Sequence, residues 1–272
     1  QVKVNKYIRP KYTCSICDKP PQQKELPHIL PHSIADNGLF AYILTAKFCD
    51  ALPFHRLESI LERYGIEYPR ANMSNNLIQF HEKYGERMMG LMEERFLQGR
   101  LGHIDETTCL VMNEEGRPNK TKSYMWAFLG NGVVFYQYHE TRQALFLNEF
   151  LKNFKGNILT DGYPAYDQVF KLLPDIIPAG CNAHNRRYFL DAYDEGKHKV
   201  AEEPILIYRE LYKIESEIKD LSPEERLKSR QELSRPLMER FFAYLKEKES
   251  RVTPKSLLGN AVHYALNQWP KL

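Results

Sequence analysis

The sequence predicts an α/β fold built on a mixed five-stranded sheet with helices on its faces. Short β-type runs separated by turn residues come first, and helical spacing of apolar residues then alternates with further short runs. The five runs lie at residues 101–112, 123–129, 133–138, 157–160 and 176–179. Helical patterns lie at residues 143–153 and after Pro164. The resulting order β-β-β-α-β-α-β is that of the RNase H-like fold, in which the first three strands are antiparallel.

Composition excludes several classes of protein. The chain has 272 residues, of which 43% are hydrophobic and 12% aromatic, enough to bury a core and too many for a disordered chain. Its five cysteines are an odd number, which disfavours a secreted disulfide framework. No apolar run approaches the ~18 residues of a membrane span, and no signal peptide is recognisable. We therefore expect a cytoplasmic protein without a membrane partner.

A helical region is predicted before the sheet, at residues 28–98. Ser33 is the expected N-cap of its first helix, and Pro53 suits the first turn of the second. Gly65 is expected to end that second helix before a third begins. A short helix, a glycine turn and a further helix are the outline of a helix-turn-helix, which predicts a DNA-binding region.

A second helical and highly charged segment follows the sheet, at residues 191–272. It contains a capping box at Ser222-Pro-Glu-Glu225, where a helix should begin. Pro236 should break or kink the helix that contains it. The predicted core at residues 99–190 therefore lies between two helical regions.

Two acidic positions carry the chemistry that the fold suggests. Asp105 lies in the apolar first strand beside Glu106, and strand alternation points these two side chains to opposite faces. Asp161 directly follows the fourth strand, in an Asp-Gly turn. The first and fourth strands are neighbours in this fold, so Asp105 and Asp161 should converge. Two carboxylates with open positions suit Mg²⁺ or Mn²⁺, which can assist phosphoryl transfer.

A basic cluster follows the fifth strand. The helical spacing places His184, Arg186 and Arg187 near one helix start, beside the same edge of the sheet. Such a cluster is suited to binding DNA phosphates, although a solvated basic turn is the alternative interpretation. Cys181 and His184 are only two ligands and so do not predict a zinc site.

The sequence resembles the transposases of the insertion sequence 66 type, bacterial enzymes of the DDE class. The matching segments are collinear with the family and cover nearly the whole chain. They are Lys11-Tyr-Thr-Cys14, Leu52-Pro53-Phe54, Arg63-Tyr-Gly-Ile66, His103-Ile-Asp-Glu-Thr107, Thr160-Asp-Gly-Tyr163, Gly180-Cys-x-Ala-His-x-Arg-Arg-x-Phe189, Leu211-Tyr-Lys-Ile-Glu215 and Ala261-x-x-Tyr-x-Leu-Asn-Gln-Trp269.

The resemblance implies a separate role for each segment of the chain. Asp105 and Asp161 match the first two catalytic carboxylates, and the family's third, a glutamate, is expected beyond Leu272. The segment at residues 191–272 is then an insertion before a missing catalytic helix. Residues 1–27 would be part of a zinc-ribbon-like module, in which Cys14 and Cys17 form half of a tetrahedral zinc site. The chain is therefore expected to be an inactive fragment.

The predicted activity of the intact protein is metal-dependent DNA cleavage and strand transfer. Its expected partners are the terminal repeats of its element, target DNA, further copies of itself and accessory proteins of the same element. It would be associated with the bacterial nucleoid. The alternative function is that of a catalytically dead DNA-binding remnant, since a fold alone does not confer activity. A structure-selective nuclease on the same fold is a third possibility.

Overall fold

The computed structural model describes residues 3–13, 15–17, 28–30 and 33–272. The chain divides into two compact units, Gln1–Leu91 and Met92–Leu272. Cys14 lies outside the described residues, and Cys17 is an exposed free thiol. The partial zinc site and the four-part division of the chain at residues 27, 98 and 190 stay predictions.

The first unit is helical. Its helices are α1 (Asn37–Phe48), α2 (Phe54–Arg63), α3 (Arg70–Phe80) and the start of α4 (Glu86–Leu97), with a π-helical turn at His81–Gly85. The core of this unit consists of small and apolar side chains from α1, α2, α3 and the segments beside them. Its buried members are Ala35, Ile43, Ala46, Leu57, Leu61, Tyr68 and Met73.

The ends of these helices agree with the sequence at two points and differ at one. α2 begins directly after Pro53, and Gly65, at φ 74°, follows its end in the left-handed conformation that glycine favours. Ser33 is not the N-cap of α1, so that prediction was wrong. Asp36 caps the helix instead, because its Oδ1 accepts a hydrogen bond from the Leu39 amide at 2.8 Å. The Ser33 hydroxyl accepts from Ala35 N in the turn before.

The sheet of the second unit confirms the predicted fold class. Its strands are β1 (Leu101–Leu110), β2 (Lys122–Gly130), β3 (Val133–His139), β4 (Gly156–Thr160) and β5 (Ile176–Gly180). They are ordered β3-β2-β1-β4-β5. β1, β2 and β3 are antiparallel neighbours, whereas β4 and β5 run parallel to β1. This is the RNase H-like arrangement.

One face of the sheet is packed by aromatic rings around Phe96, the penultimate residue of α4. Phe96 is fully buried, and its ring contacts four other phenylalanine rings, those of Phe128, Phe135, Phe150 and Phe154. Gly102 and Gly130 are paired across β1 and β2. A Cβ at Gly102 would lie 2.7 Å from the Phe96 ring and one at Gly130 3.0 Å from it, so both glycines provide space for that ring.

Helices connect and follow the parallel strands. α5 (Phe146–Phe150) precedes β4, and α6 (Pro164–Phe170) lies between β4 and β5. After β5 come α7 (Asn182–Asp194), α8 (Glu202–Ile218), α9 (Pro223–Ser229), α10 (Arg235–Glu249) and α11 (Leu257–Gln268). α7, α8, α10 and α11 share a second core, which includes Phe189, Tyr208, Phe241 and Val262.

A π-helical turn, and not a break in the chain's helical path, precedes Pro236. The capping box at Ser222 and Glu225 starts α9, and a π-helical turn at Arg230–Ser234 separates α9 from α10. Pro236 is the second residue of α10. A proline has no amide hydrogen and clashes with the carbonyl four residues earlier, and a π turn relieves that clash. None of the helices in the described ranges is long and apolar enough to cross a membrane.

Candidate active site

The predicted acidic residues belong to two neighbouring strands: Asp105 lies midway along β1, and Asp161 directly follows β4. The parallel register of β1 and β4 pairs His103 with Leu159. Asp105 and Asp161 each come two residues later, so continuing this register brings them level. Side chains alternate along a strand, so Asp105 lies on the same face of β1 as His103. Asp161 lies just beyond the last residue of β4, and its convergence with Asp105 stays a prediction.

Asp161 is held by the turn that it begins. Its Oδ1 accepts a hydrogen bond from the Tyr163 amide at 2.9 Å, which forms an Asx turn before α6 starts at Pro164. The Asp161 side chain is 21% exposed. One carboxylate oxygen is therefore fixed by the backbone, and Oδ2 is left for other contacts.

Asp105 is more open to solvent, and a histidine stands beside it. Its side chain is 58% exposed, and His184 Nε2 lies 4.0 Å from Asp105 Oδ2. His184 belongs to the first turn of α7, whose N-cap is Cys181. The Nδ1 atom of His184 is buried without a hydrogen-bond partner in the part of the chain that the structure describes. A positive charge on this histidine would face Asp105 directly.

The two arginines of the predicted basic cluster lie in different surroundings. The Arg186 guanidinium lies 6.0 Å from the ring centroid of Tyr212 in α8, so this side chain packs within the helical segment. Arg187 is exposed. The structure therefore brings His184 to Asp105, whereas the described contact of Arg186 is with α8.

A buried ionic cluster beside this site was missed by the sequence reasoning. The Glu106 side chain is only 1% exposed and accepts hydrogen bonds from the Tyr166 hydroxyl and from Arg142 Nε, the latter at 2.6 Å. Burial raises the pKa of Glu106, and the bonds from Tyr166 and Arg142 partly offset that effect. Burial and the neighbouring Glu106 carboxylate also raise the pKa of Tyr166, so its hydroxyl remains a donor.

Arg142 links this cluster to Asp161. Its Nη2 atom lies 3.7 Å from Asp161 Oδ2, and its guanidinium lies 3.9 Å from the ring centroid of Tyr163. The same nitrogen lies 2.6 Å from Glu106 Oε1, so Arg142 is shared between the buried glutamate and a predicted metal ligand. Strand alternation does separate Glu106 from Asp105, but Arg142 reaches past the end of β4 and joins Glu106 to Asp161.

Replacing the buried carboxylate should destabilise the fold measurably. Glu106→Gln keeps an acceptor for Tyr166 but loses the charge-assisted bonds with Arg142, and we expect a loss of about 1.5–3 kcal/mol in the free energy of unfolding. Urea unfolding can be followed by tryptophan fluorescence, because both tryptophans belong to the second unit. Glu149→Gln is the control, because Glu149 is 80% exposed and pairs with a surface lysine. Equal losses in the two variants would contradict the role given to Glu106.

The donor atoms of Asp105 and Asp161 match the chemistry of Mg²⁺ or Mn²⁺, which prefer carboxylate oxygens. Asp161 Oδ2 and the exposed Asp105 carboxylate are the oxygens available for such an ion. Among the described residues, no three His, Cys, Asp or Glu side chains come close enough together to hold a metal. The role of these two side chains as metal ligands stays a prediction.

Comparisons with known proteins give the family. Residues 32–272 match the family described as Transposase IS66 family. Two relatives, the uncharacterized proteins y4qI and y4jD, come from Sinorhizobium fredii (strain NBRC 101917 / NGR234). The first is 29% identical over 96% of this chain and 51% of its own length. The second is 27% identical over 100% of this chain and 56% of its own length. The chain thus spans about half the length of these relatives.

A solved structure is similar at a lower level. The crystal structure of a pre-cleavage Mos1 transpososome contains a chain with 14% sequence identity, covering 92% of this chain and 81% of that chain, at a TM-score of 0.23. The strand order and register described above, and not this similarity, establish the fold class.

Proposed function

The chain belongs to the transposase IS66 family, and we propose that it supplies two metal-binding carboxylates to an enzyme that cuts and joins DNA strands. Asp105 and Asp161 would hold Mg²⁺ or Mn²⁺. The observation that carries the proposal is the parallel pairing of β1 with β4, whose last pair, His103 and Leu159, lies two residues before each acid.

The reaction class is phosphoryl transfer at a DNA phosphodiester. Water first attacks the phosphorus at an element end, and the 3′ oxygen leaves as a hydroxyl. That hydroxyl then attacks a phosphodiester of the target DNA, and the displaced target oxygen leaves in turn. When bound, the divalent ions activate the attacking oxygen and stabilise the leaving one.

The chain's own residues would hold and orient the DNA. His184 lies closest of the basic cluster to Asp105, and we assign it, together with Arg186 and Arg187, to backbone phosphates. Arg142 would offset the charge of Asp161 before a cation binds. The α2–Gly65–α3 segment of the first unit has the outline of a helix-turn-helix, which supports a role in binding the terminal repeats.

Strand cleavage and joining by the full-length protein would test this function. Labelled DNA carrying one element end is incubated with a target duplex and Mg²⁺, and the products are separated by size. We expect cleavage that leaves a 3′-hydroxyl, followed by joined products, and both should disappear when EDTA removes the metal and return when Mg²⁺ is restored. Sequence-specific binding without cleavage would instead indicate a DNA-binding remnant, and cleavage without joining would indicate a nuclease.

A further inference from the structure

The last long helix of the chain touches the turn that carries Asp161. The Gly162 amide donates a hydrogen bond to the Tyr264 hydroxyl oxygen at 3.0 Å, across 102 residues of sequence. A Cβ at Gly162 would lie 2.5 Å from Tyr264 Cε2 and 3.0 Å from Gln268 Nε2. The approach is so close that only a glycine fits without displacing one of these side chains.

α11 is well anchored where it makes this contact. Ala261, Val262 and Ala265 are fully buried in the core of the helical segment. The Tyr264 ring lies 4.5 Å from the ring of Tyr188 in α7, the helix that also carries His184. Because close-packed interiors are barely compressible, α11 presents a rigid surface to the turn.

Two successive amides of the turn are thereby bonded by different parts of the chain. Tyr163 N bonds to Asp161 Oδ1 within the turn, and Gly162 N bonds to Tyr264 from α11. The Asp161 side chain can rotate only if the first bond breaks, and the turn can shift only if the second breaks. Burial raises the pKa of Tyr264 to about 12, so its hydroxyl is protonated at neutral pH.

Gln268 completes the contact. It is 7% exposed, and its Oε1 is buried without a hydrogen-bond partner within the described ranges. The Gln268 amide nitrogen and Cδ are the atoms that lie beside Gly162, at 3.0 and 3.1 Å from the place of a Cβ there, so this buried side chain limits the space available to the turn.

We infer that Tyr264 and Gln268 are positioning residues for Asp161, acting through the Gly162 amide and the space beside it. The helical segment after β5 would thus be part of the catalytic site's framework and not an independent insertion. This inference rests on the proposed function, in which Asp161 is a metal ligand.

The test compares two variants that each lose one tyrosine hydroxyl in the second unit. Tyr264→Phe removes the acceptor for Gly162, whereas the control Tyr244→Phe removes the donor of a 2.6 Å bond to the Val200 carbonyl. In the full-length protein, we expect Tyr264→Phe to raise the Mg²⁺ concentration that gives half-maximal cleavage by about five- to tenfold, the equivalent of one hydrogen bond. The rate at saturating Mg²⁺ should change less. Tyr244→Phe should leave the Mg²⁺ dependence unchanged.

A second measurement separates this inference from the proposed function. Hydrogen exchange of the peptide containing Asp161, Gly162 and Tyr163 should speed up in Tyr264→Phe and stay unchanged in Tyr244→Phe, whether or not the protein cleaves DNA. Unchanged exchange, or an unchanged Mg²⁺ requirement in an active protein, would overturn the inference. Faster exchange in Tyr264→Phe, combined with a wild-type protein that never cleaves DNA, would reject the proposed function and retain the contact.

Discussion

Asp161→Asn is expected to lower strand cleavage by the full-length protein by roughly three orders of magnitude. Asparagine keeps the size of the side chain and an oxygen that can accept the bond from the Tyr163 amide, so the turn should survive. It lacks the negative charge that a divalent cation requires. Metal ions supply several kcal/mol of charge stabilisation, and each 1.36 kcal/mol corresponds to a factor of about ten in rate.

Asp105→Asn should have a comparable effect, because we assign the same ion to both carboxylates. The matched control is Asp175→Asn: Asp175 immediately precedes β5, is 60% exposed and pairs with Lys155 at 3.0 Å. The rate constant of cleavage at saturating Mg²⁺ is the quantity to compare. If either active-site variant cleaves within tenfold of the wild type, or if the control loses as much, the assignment of these ligands is wrong.

The sequence was most informative where local pattern and fold coincide. The five strands end within two residues of their predicted limits, because apolar alternation and glycine-containing turns act over a few neighbouring residues. The predicted topology also made β1 and β4 neighbours, and their parallel pairing ends two residues before Asp105 and Asp161. Helix ends were less certain: Ser33 and Asp36 both suit an N-cap, and only the backbone decides between them.

The contacts that surround the two acids could not have been predicted. Arg142 meets Glu106 across 36 residues and Tyr166 meets Glu106 across 60, and neither pair leaves a periodic trace in the sequence. Alternation along β1 correctly assigns Glu106 to the face opposite Asp105, but it cannot show that a loop arginine bridges the end of a strand. The Gly162–Tyr264 bond is longer in range still.

The buried ring of Phe96 connects the stability of the sheet to the site. It fills the space left by the paired glycines Gly102 and Gly130. Gly102 lies in β1, three residues before Asp105. A change in the packing of this ring would therefore alter the strand that carries the first carboxylate.

Phe96→Ala is expected to reduce the free energy of unfolding by about 3–5 kcal/mol, the usual loss when a fully buried phenylalanine is truncated. Urea unfolding monitored by tryptophan fluorescence would measure it, with Leu145→Ala, a 63% exposed position, as a control expected to stay within about 0.5 kcal/mol. Phe96→Leu should lose less than Phe96→Ala, because it leaves a smaller cavity beside the glycines. A loss below about 1 kcal/mol in Phe96→Ala would mean that the neighbouring phenylalanines close the cavity, and that the glycine pair does not depend on this ring.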